Sequence, residues 1–406
     1  MRQNKEITYL TGLRGVAVLI ILFVHMFNGH AINRPMAYLG MSIFFVLSGT
    51  VLTYTWADKF SSGKSQLVDY IQVTFSFLWA RFARLAPLYL ILVVPYFAHT
   101  GQPWKEIGEL LPRYFLGMQS WFYDVNASGA IKQLTIYSMS WSISSECCLY
   151  LIFPVLFIFL YNCKHHTRWY VAAGFYFVYL ASLVLLVKKG IYAGTGYPPS
   201  QTEIDWFVYL SPYGRVIEFM MGMLMGLTLL KTTQAEPRLI RSSFHGALAL
   251  SLIGILITYL AIIERKQSSD SLIALLRMGP LFTLPISYLM YALVRGNDLV
   301  EKLFSSKILI IIGTWSYSIY LWQEYLLHLI GSGWRPGPHD YIMHIINVVF
   351  VLLLSAGSYQ IIEAPARGFL IQLDPVKNLF PFIERRMNTV TNLYKNLQLF
   401  YNSRKS

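Results

Sequence analysis

Long apolar stretches separated by short polar ones run along most of the chain. Crossing roughly 30 Å of hydrocarbon takes about twenty apolar residues in a helix. On that measure ten spans are predicted, over 10–28, 38–56, 84–99, 140–161, 169–187, 213–230, 246–263, 278–294, 308–330 and 342–362. The apolar runs are continuous rather than alternating, and a helix satisfies its own backbone in lipid, so helices are predicted in preference to a barrel. The expected fold class is an all-α polytopic bundle. NGHAINRPMA follows the first span without a small-residue cleavage site, so that span is read as retained and not as a secretion signal. No Walker-type loop, fixed-period repeat or long hydrophilic segment interrupts the pattern. One transmembrane domain, 1–374, is expected. A basic tail, 375–406, would follow it, and its NTVTNLYKNLQLFY stretch has the amphipathic look of a surface helix.

Composition supports this pattern. The 406 residues are 55% hydrophobic and 13% charged, and the mean hydropathy is +0.47, which excludes an ordinary soluble domain. A cytoplasmic N-terminus places most of the 33 Lys and Arg residues on inner segments, and the same logic puts the C-terminus inside. The net charge of +13 is then largely topological; it suits anionic lipid headgroups and offers nothing specific to nucleic acid. Cys147, Cys148 and Cys163 make no disulfide framework, and the adjacent pair reads as small buried apolar residues. No metal site is expected.

Ionisable residues inside spans cost at least a few kcal/mol, so each is a candidate for function. GLRGVAVLIILFVHMF carries Arg14 and His25 eleven residues apart. That spacing makes three helical turns plus about 20°, with roughly 16 Å between the two residues along one face. Arg14 falls at the cytoplasmic mouth and His25 beyond the midplane. Glu146, in SWSISSECCLYLIFP, should match the depth of His25 on an antiparallel span and could orient its imidazole. WARFARLAPLY sets Arg81 and Arg84 on one face at the entrance to the third span, a basic mouth suited to phosphates. A lipid-facing cationic flank explains that stretch equally well. Arg215 and Glu218, three apart in RVIEF, are candidate substrate contacts or partners of each other.

These residues resemble the membrane-bound acyltransferase type 3 family. The opening signature is joined in order by GMSIFFVLSG, RFARLAPLY, WSISSECCLYLIFP, RVIEFMMGMLMG, IGTWSYSIYLW and IEAPAR, from Gly12 to Arg367. The resemblance implies an inner-membrane enzyme that moves an acyl group, commonly acetyl, from cytoplasmic acyl-CoA to a hydroxyl of an exported or lipid-linked glycan. Lipopolysaccharide O-antigen is one such acceptor. It also implies that Arg14 and His25 are required, that Arg81 and Arg84 form the basic pair, and that Glu146 matters. Three positions depart from the family pattern. Ser42 stands where an acidic residue is frequent, Ala80 where an arginine is frequent, and Gln323 where the ninth-span signature often has histidine. An amide cannot act as an acid or base near neutral pH, so no proton transfer is assigned to Gln323.

A thioester is already activated, so transfer needs only positioning, a base and stabilisation of an oxyanion. Arg14, Arg81 and Arg84 are expected to hold the CoA phosphates, while His25, oriented by Glu146, acts as general base or acyl carrier. Ser48, Ser142, Ser144 and Tyr317 are candidate oxyanion donors, and each serves as easily in an interhelical hydrogen bond. Trp141 is either a substrate contact or an interface-belt residue. Trp104, Trp121, Phe122, Tyr123 and Tyr137 could stack on sugar rings, although aromatics collect at membrane interfaces without catalytic cause. A homodimer stays open. A secondary transporter of a polar solute is the competing class, but the duplicated halves and broken spans it would carry are not evident.

Overall fold

A computed structural model describes residues 7–27, 30–62, 67–99, 104–124, 137–189, 204–232, 242–265, 280–295, 299–329 and 341–375. The tail expected over 375–406 therefore lies, but for its first residue, outside the described residues. Fourteen α-helices and two π-helical turns account for the described structure, and no strand occurs among the described residues. In order the helices are α1 Thr8–Met26, α2 Asn33–Ser62, α3 Leu67–His99, α4 Trp104–Phe115, α5 Ser140–Asn162, α6 His165–Lys189 and α7 Pro212–Thr232. They continue with α8 Ser242–Arg265, α9 Pro280–Arg295, α10 Leu299–Phe304, α11 Lys307–Thr314, α12 Ser316–Leu329, α13 Tyr341–Ser358 and α14 Ala364–Gln372. Among the described residues, seven stretches are long and apolar enough to cross a membrane: Thr8–Met26, Asn33–Ser61, Asp69–Pro95, Ser140–Asn162, Trp206–Leu230, Phe244–Arg265 and Tyr341–Gln372. The protein is an all-α polytopic membrane protein.

The helices depart from the predicted spans where polar groups turn inward. The third span, predicted to begin at residue 84, lies in a helix that starts at Leu67, so Arg81 and Arg84 sit inside α3 and not at its entrance. Both side chains border cavities there, away from which a charge among apolar neighbours would be costly. The ninth predicted span is broken at Trp315 into α11 and α12, which brings Ser316 and Tyr317 to a cavity wall. A π-helical turn, Tyr359–Glu363, interrupts the tenth and points Glu363 into a second cavity.

Close backbone approach holds α1 in place. A Cβ at Gly12 would sit 1.6 Å from the carbonyl oxygen of Phe304, and one at Gly15 would sit 2.3 Å from that of Leu309. Gly313 answers from α11, where a Cβ would meet the Thr11 carbonyl at 1.9 Å. The two glycines of GLRG thus press α1 against α10 and α11 while Arg14, between them, faces a cavity. Gly15→Val should overpack this seam at a cost of roughly 1–3 kcal/mol. The expected result, read by size-exclusion chromatography after a heat step in detergent, is a lowered melting temperature with activity lost alongside folded protein.

Candidate active site

The arginines expected at the mouth converge. Arg84 borders three neighbouring cavities of about 70, 410 and 590 Å³. Arg14 shares the first two, Arg81 the first and third, and Arg367 the second and third. The smallest cavity also takes in Ser48, Ser142, Glu146 and Tyr317. Tyr317 donates its hydroxyl to the carbonyl of Leu85 at 2.6 Å, and Ser142 donates to the Tyr320 hydroxyl at 2.8 Å, so both are already tied into interhelical bonds. Glu363 accepts from the Ser318 hydroxyl at 2.8 Å and lines the 410 Å³ cavity with Arg14, Arg84 and Arg367. Sequence reasoning gave no role to Glu363 or Arg367; IEAPAR contains both, but neither spacing nor periodicity reveals that this segment returns to Arg14.

His25 sits apart from these cavities. α1 is unbroken from Thr8 to Met26, which keeps Arg14 and His25 roughly 16 Å apart along the axis. The carboxylate acting on His25 is Glu324, not Glu146. Glu324 accepts from the backbone N–H of Ser138 at 3.1 Å, from the Ser138 hydroxyl, and from the backbone N–H of Met139 at 2.6 Å. A carboxylate at the start of α5 is favoured by the unsatisfied N–H groups and dipole of the helix. Those bonds bring the beginning of α5 level with His25. Glu146 lies six residues further along, roughly 9 Å away by helical rise. Its electrostatic neighbours are accordingly Arg84, Arg14, Arg81 and the hydroxyl of Tyr150. In place of the expected His25–Glu146 pair, Glu324 bears on His25 and Glu146 lies with the arginines.

The remaining candidates belong to a buried buttress. Arg215 and Glu218 are 0% and 1% exposed and pair at 3.1 Å through Nη1 to both carboxylate oxygens. Arg215 Nε donates to the Tyr209 carbonyl at 2.8 Å, and the guanidinium lies over the rings of Tyr209, Phe45 and Trp141 at 4.4, 5.3 and 5.4 Å. Trp141 is thus an internal platform and not an interface-belt residue. Ser42 donates to Glu218 at 2.6 Å and so ties α2 to α7. Ser144 accepts from the backbone N–H of Ser120 at 3.0 Å and so anchors the segment before α5. Two of the aromatics considered for sugar stacking serve the same anchoring. Trp121 donates to the Ser144 carbonyl at 3.0 Å, and Tyr137 donates to that of Leu321 at 2.9 Å. Tyr123 packs on Trp206 and Phe122 is exposed.

Fold and site together define a polytopic membrane protein with an arginine-lined set of cavities at one end of a helix and a histidine–carboxylate grouping at the other. A family model described as "Acyltransferase domain" matches residues 7–359. The chain belongs to that family. It is 25% identical over 371 residues to O-acetyltransferase OatA of Staphylococcus aureus strain NCTC 8325 / PS 47, a match covering 88% of this chain and 57% of OatA. OatA of strain MRSA252 matches with the same values. The chain spans little more than half the length of these relatives, and no solved structure matches it.

Glu218→Gln would leave Arg215 charged and under-compensated in the bundle, a loss of about 3–5 kcal/mol. Arg215→Met combined with Glu218→Met should recover most of that stability. Thermal unfolding in detergent of the two variants checks this, and equal melting of both would show that the pair carries no such burden.

Proposed function

We propose that the protein is a membrane O-acyltransferase that moves an acyl group, most simply acetyl, from acyl-CoA to a hydroxyl of an exported or lipid-linked glycan. The observation that carries this reading is the separation of chemistries along α1. Arginines around cavities suit the phosphates of a soluble donor, and the extended pantetheine arm spans the roughly 16 Å to His25. Family membership and the O-acetyltransferase relatives support the same class of reaction.

In this mechanism the imidazole of His25 takes the proton of the acceptor hydroxyl, whose oxygen attacks the thioester carbonyl carbon. The carbon–sulfur bond breaks, the ester forms, and the imidazolium returns its proton to the departing thiolate. Glu324, fixed by the start of α5, stabilises the imidazolium, a positioning role reassigned from Glu146. Glu146 instead balances the arginines beside the donor. Transfer through an acyl-histidine uses the same residues in two steps. An inner bacterial membrane with both termini in the cytoplasm places the arginine end where acyl-CoA is found, and membrane lipids surround the bundle. An O-antigen or another envelope polysaccharide fits the acceptor side.

Membranes containing the full chain, supplied with labelled acetyl-CoA, test the reading. His25→Ala is expected to abolish labelling of glycan, and Arg84→Ala to raise the donor KM about tenfold or more, the worth of a lost charge-assisted hydrogen bond. Undiminished transfer by a well-folded His25→Ala protein would sink the mechanism. Solute uptake without any acylation would favour transport instead.

A further inference from the structure

The end of α1 gathers buried polar groups whose hydrogen bonding within the protein is incomplete. His25 Nδ1, both amide atoms of Gln323, His344 Nδ1 and Asn33 Oδ1 lack a hydrogen-bond partner. Gln323, His344 and Asn33 are 0%, 5% and 8% exposed. They lie in one neighbourhood. Gln323 and the Ile21 backbone are the hydrogen-bonding neighbours of His25, and neither reaches its Nδ1 in good geometry; the His344 ring lies 4.7 Å from that of Phe27, and Asn33 Nδ2 donates to the Phe27 carbonyl at 2.5 Å. Three separate helices, α2, α12 and α13, thus bring unsatisfied groups to the last turn of α1.

Buried polar groups in folded proteins nearly always find partners, and several failing to do so at one place point to a guest. The donor set says what kind. Carboxamides and imidazoles offer both donors and acceptors, which matches hydroxyl groups. Neither Lys nor Arg stands among these described residues, in contrast to the arginine end, so a phosphate or carboxylate finds no counter-charge among them. We propose that Asn33, Gln323 and His344 form the acceptor-binding site and that it takes a neutral carbohydrate, with Gln323 bonding the hydroxyl next to the one presented to His25. The acceptor role rests on the acyl-transfer reading, while the carbohydrate site itself does not. Gln323 is then a specificity determinant: its amide can hold a neighbouring hydroxyl and cannot compete with His25 for a proton.

Saturation-transfer NMR on the full chain in lipid nanodiscs tests the site, with methyl β-D-galactopyranoside and methyl β-D-glucopyranoside as probes and methyl β-D-glucuronide as the anionic control. The neutral glycosides should bind the unaltered protein in preference to the glucuronide. Gln323→Leu, His344→Phe and Asn33→Leu should each weaken binding at least about fivefold, while the thermal stabilisation given by coenzyme A stays unchanged. Gln323→Met keeps the volume and stands in if Gln323→Leu misfolds. Equal glycoside binding by the variants, preference for the glucuronide, or no binding by the unaltered protein overturns the proposal and leaves trapped water as the guest. Glycoside binding without acyl transfer in the same preparation would defeat the enzymatic reading and leave the carbohydrate site standing.

Discussion

A charge taken into an apolar bundle must be met by the protein itself, because lipid offers no compensation. Four carboxylates of the bundle each have their own answer. Glu218 faces Arg215 and Ser42, Glu324 takes the free N–H groups that open α5, and Glu363 takes the Ser318 hydroxyl. Glu146 lies among three arginines. These partnerships link helices distant in sequence, and they place the irregular points of the chain: the break at Trp315, the π-helical turn before α14, and the start of α5.

The same requirement divides the interior in two. Around Arg84, positive charge exceeds what the nearby carboxylates supply, and cavities remain open there. Around His25, the described groups are amides and imidazoles, with the carboxylate of Glu324 beside them. α12 touches both regions, with Ser316, Tyr317 and Tyr320 at the smallest cavity and Gln323 and Glu324 at His25. A helix that contacts both ends of a proposed donor path can hold their separation constant. α1 does the same from the opposite wall, locked by Gly12 and Gly15 against α10 and α11.

Much of this was legible along the chain. Apolar runs of helical length define the class, and the Arg14–His25 interval follows from helical rise wherever α1 is unbroken. The arginines of α3 stood out because charge is scarce in such runs. Glu324 could not be singled out in the same way, since its value comes from Ser138 and Met139, residues far from it in sequence. Glu146 and Glu324 are equally conspicuous carboxylates, and only the level at which α5 begins decides which of them meets His25.

Sequence alone therefore determined the helical membrane class, the family signatures and the spacing of Arg14 and His25, because hydropathy and helical rise are local properties. Tertiary structure decided which side chains meet. It moved the histidine's carboxylate partner to Glu324, gave Glu146 to the arginines, turned Trp141 inward over Arg215, and brought Glu363 and Arg367 to the cavities. Those outcomes depend on how deeply one helix starts beside another, a quantity set by packing and by long-range hydrogen bonds that no periodicity encodes.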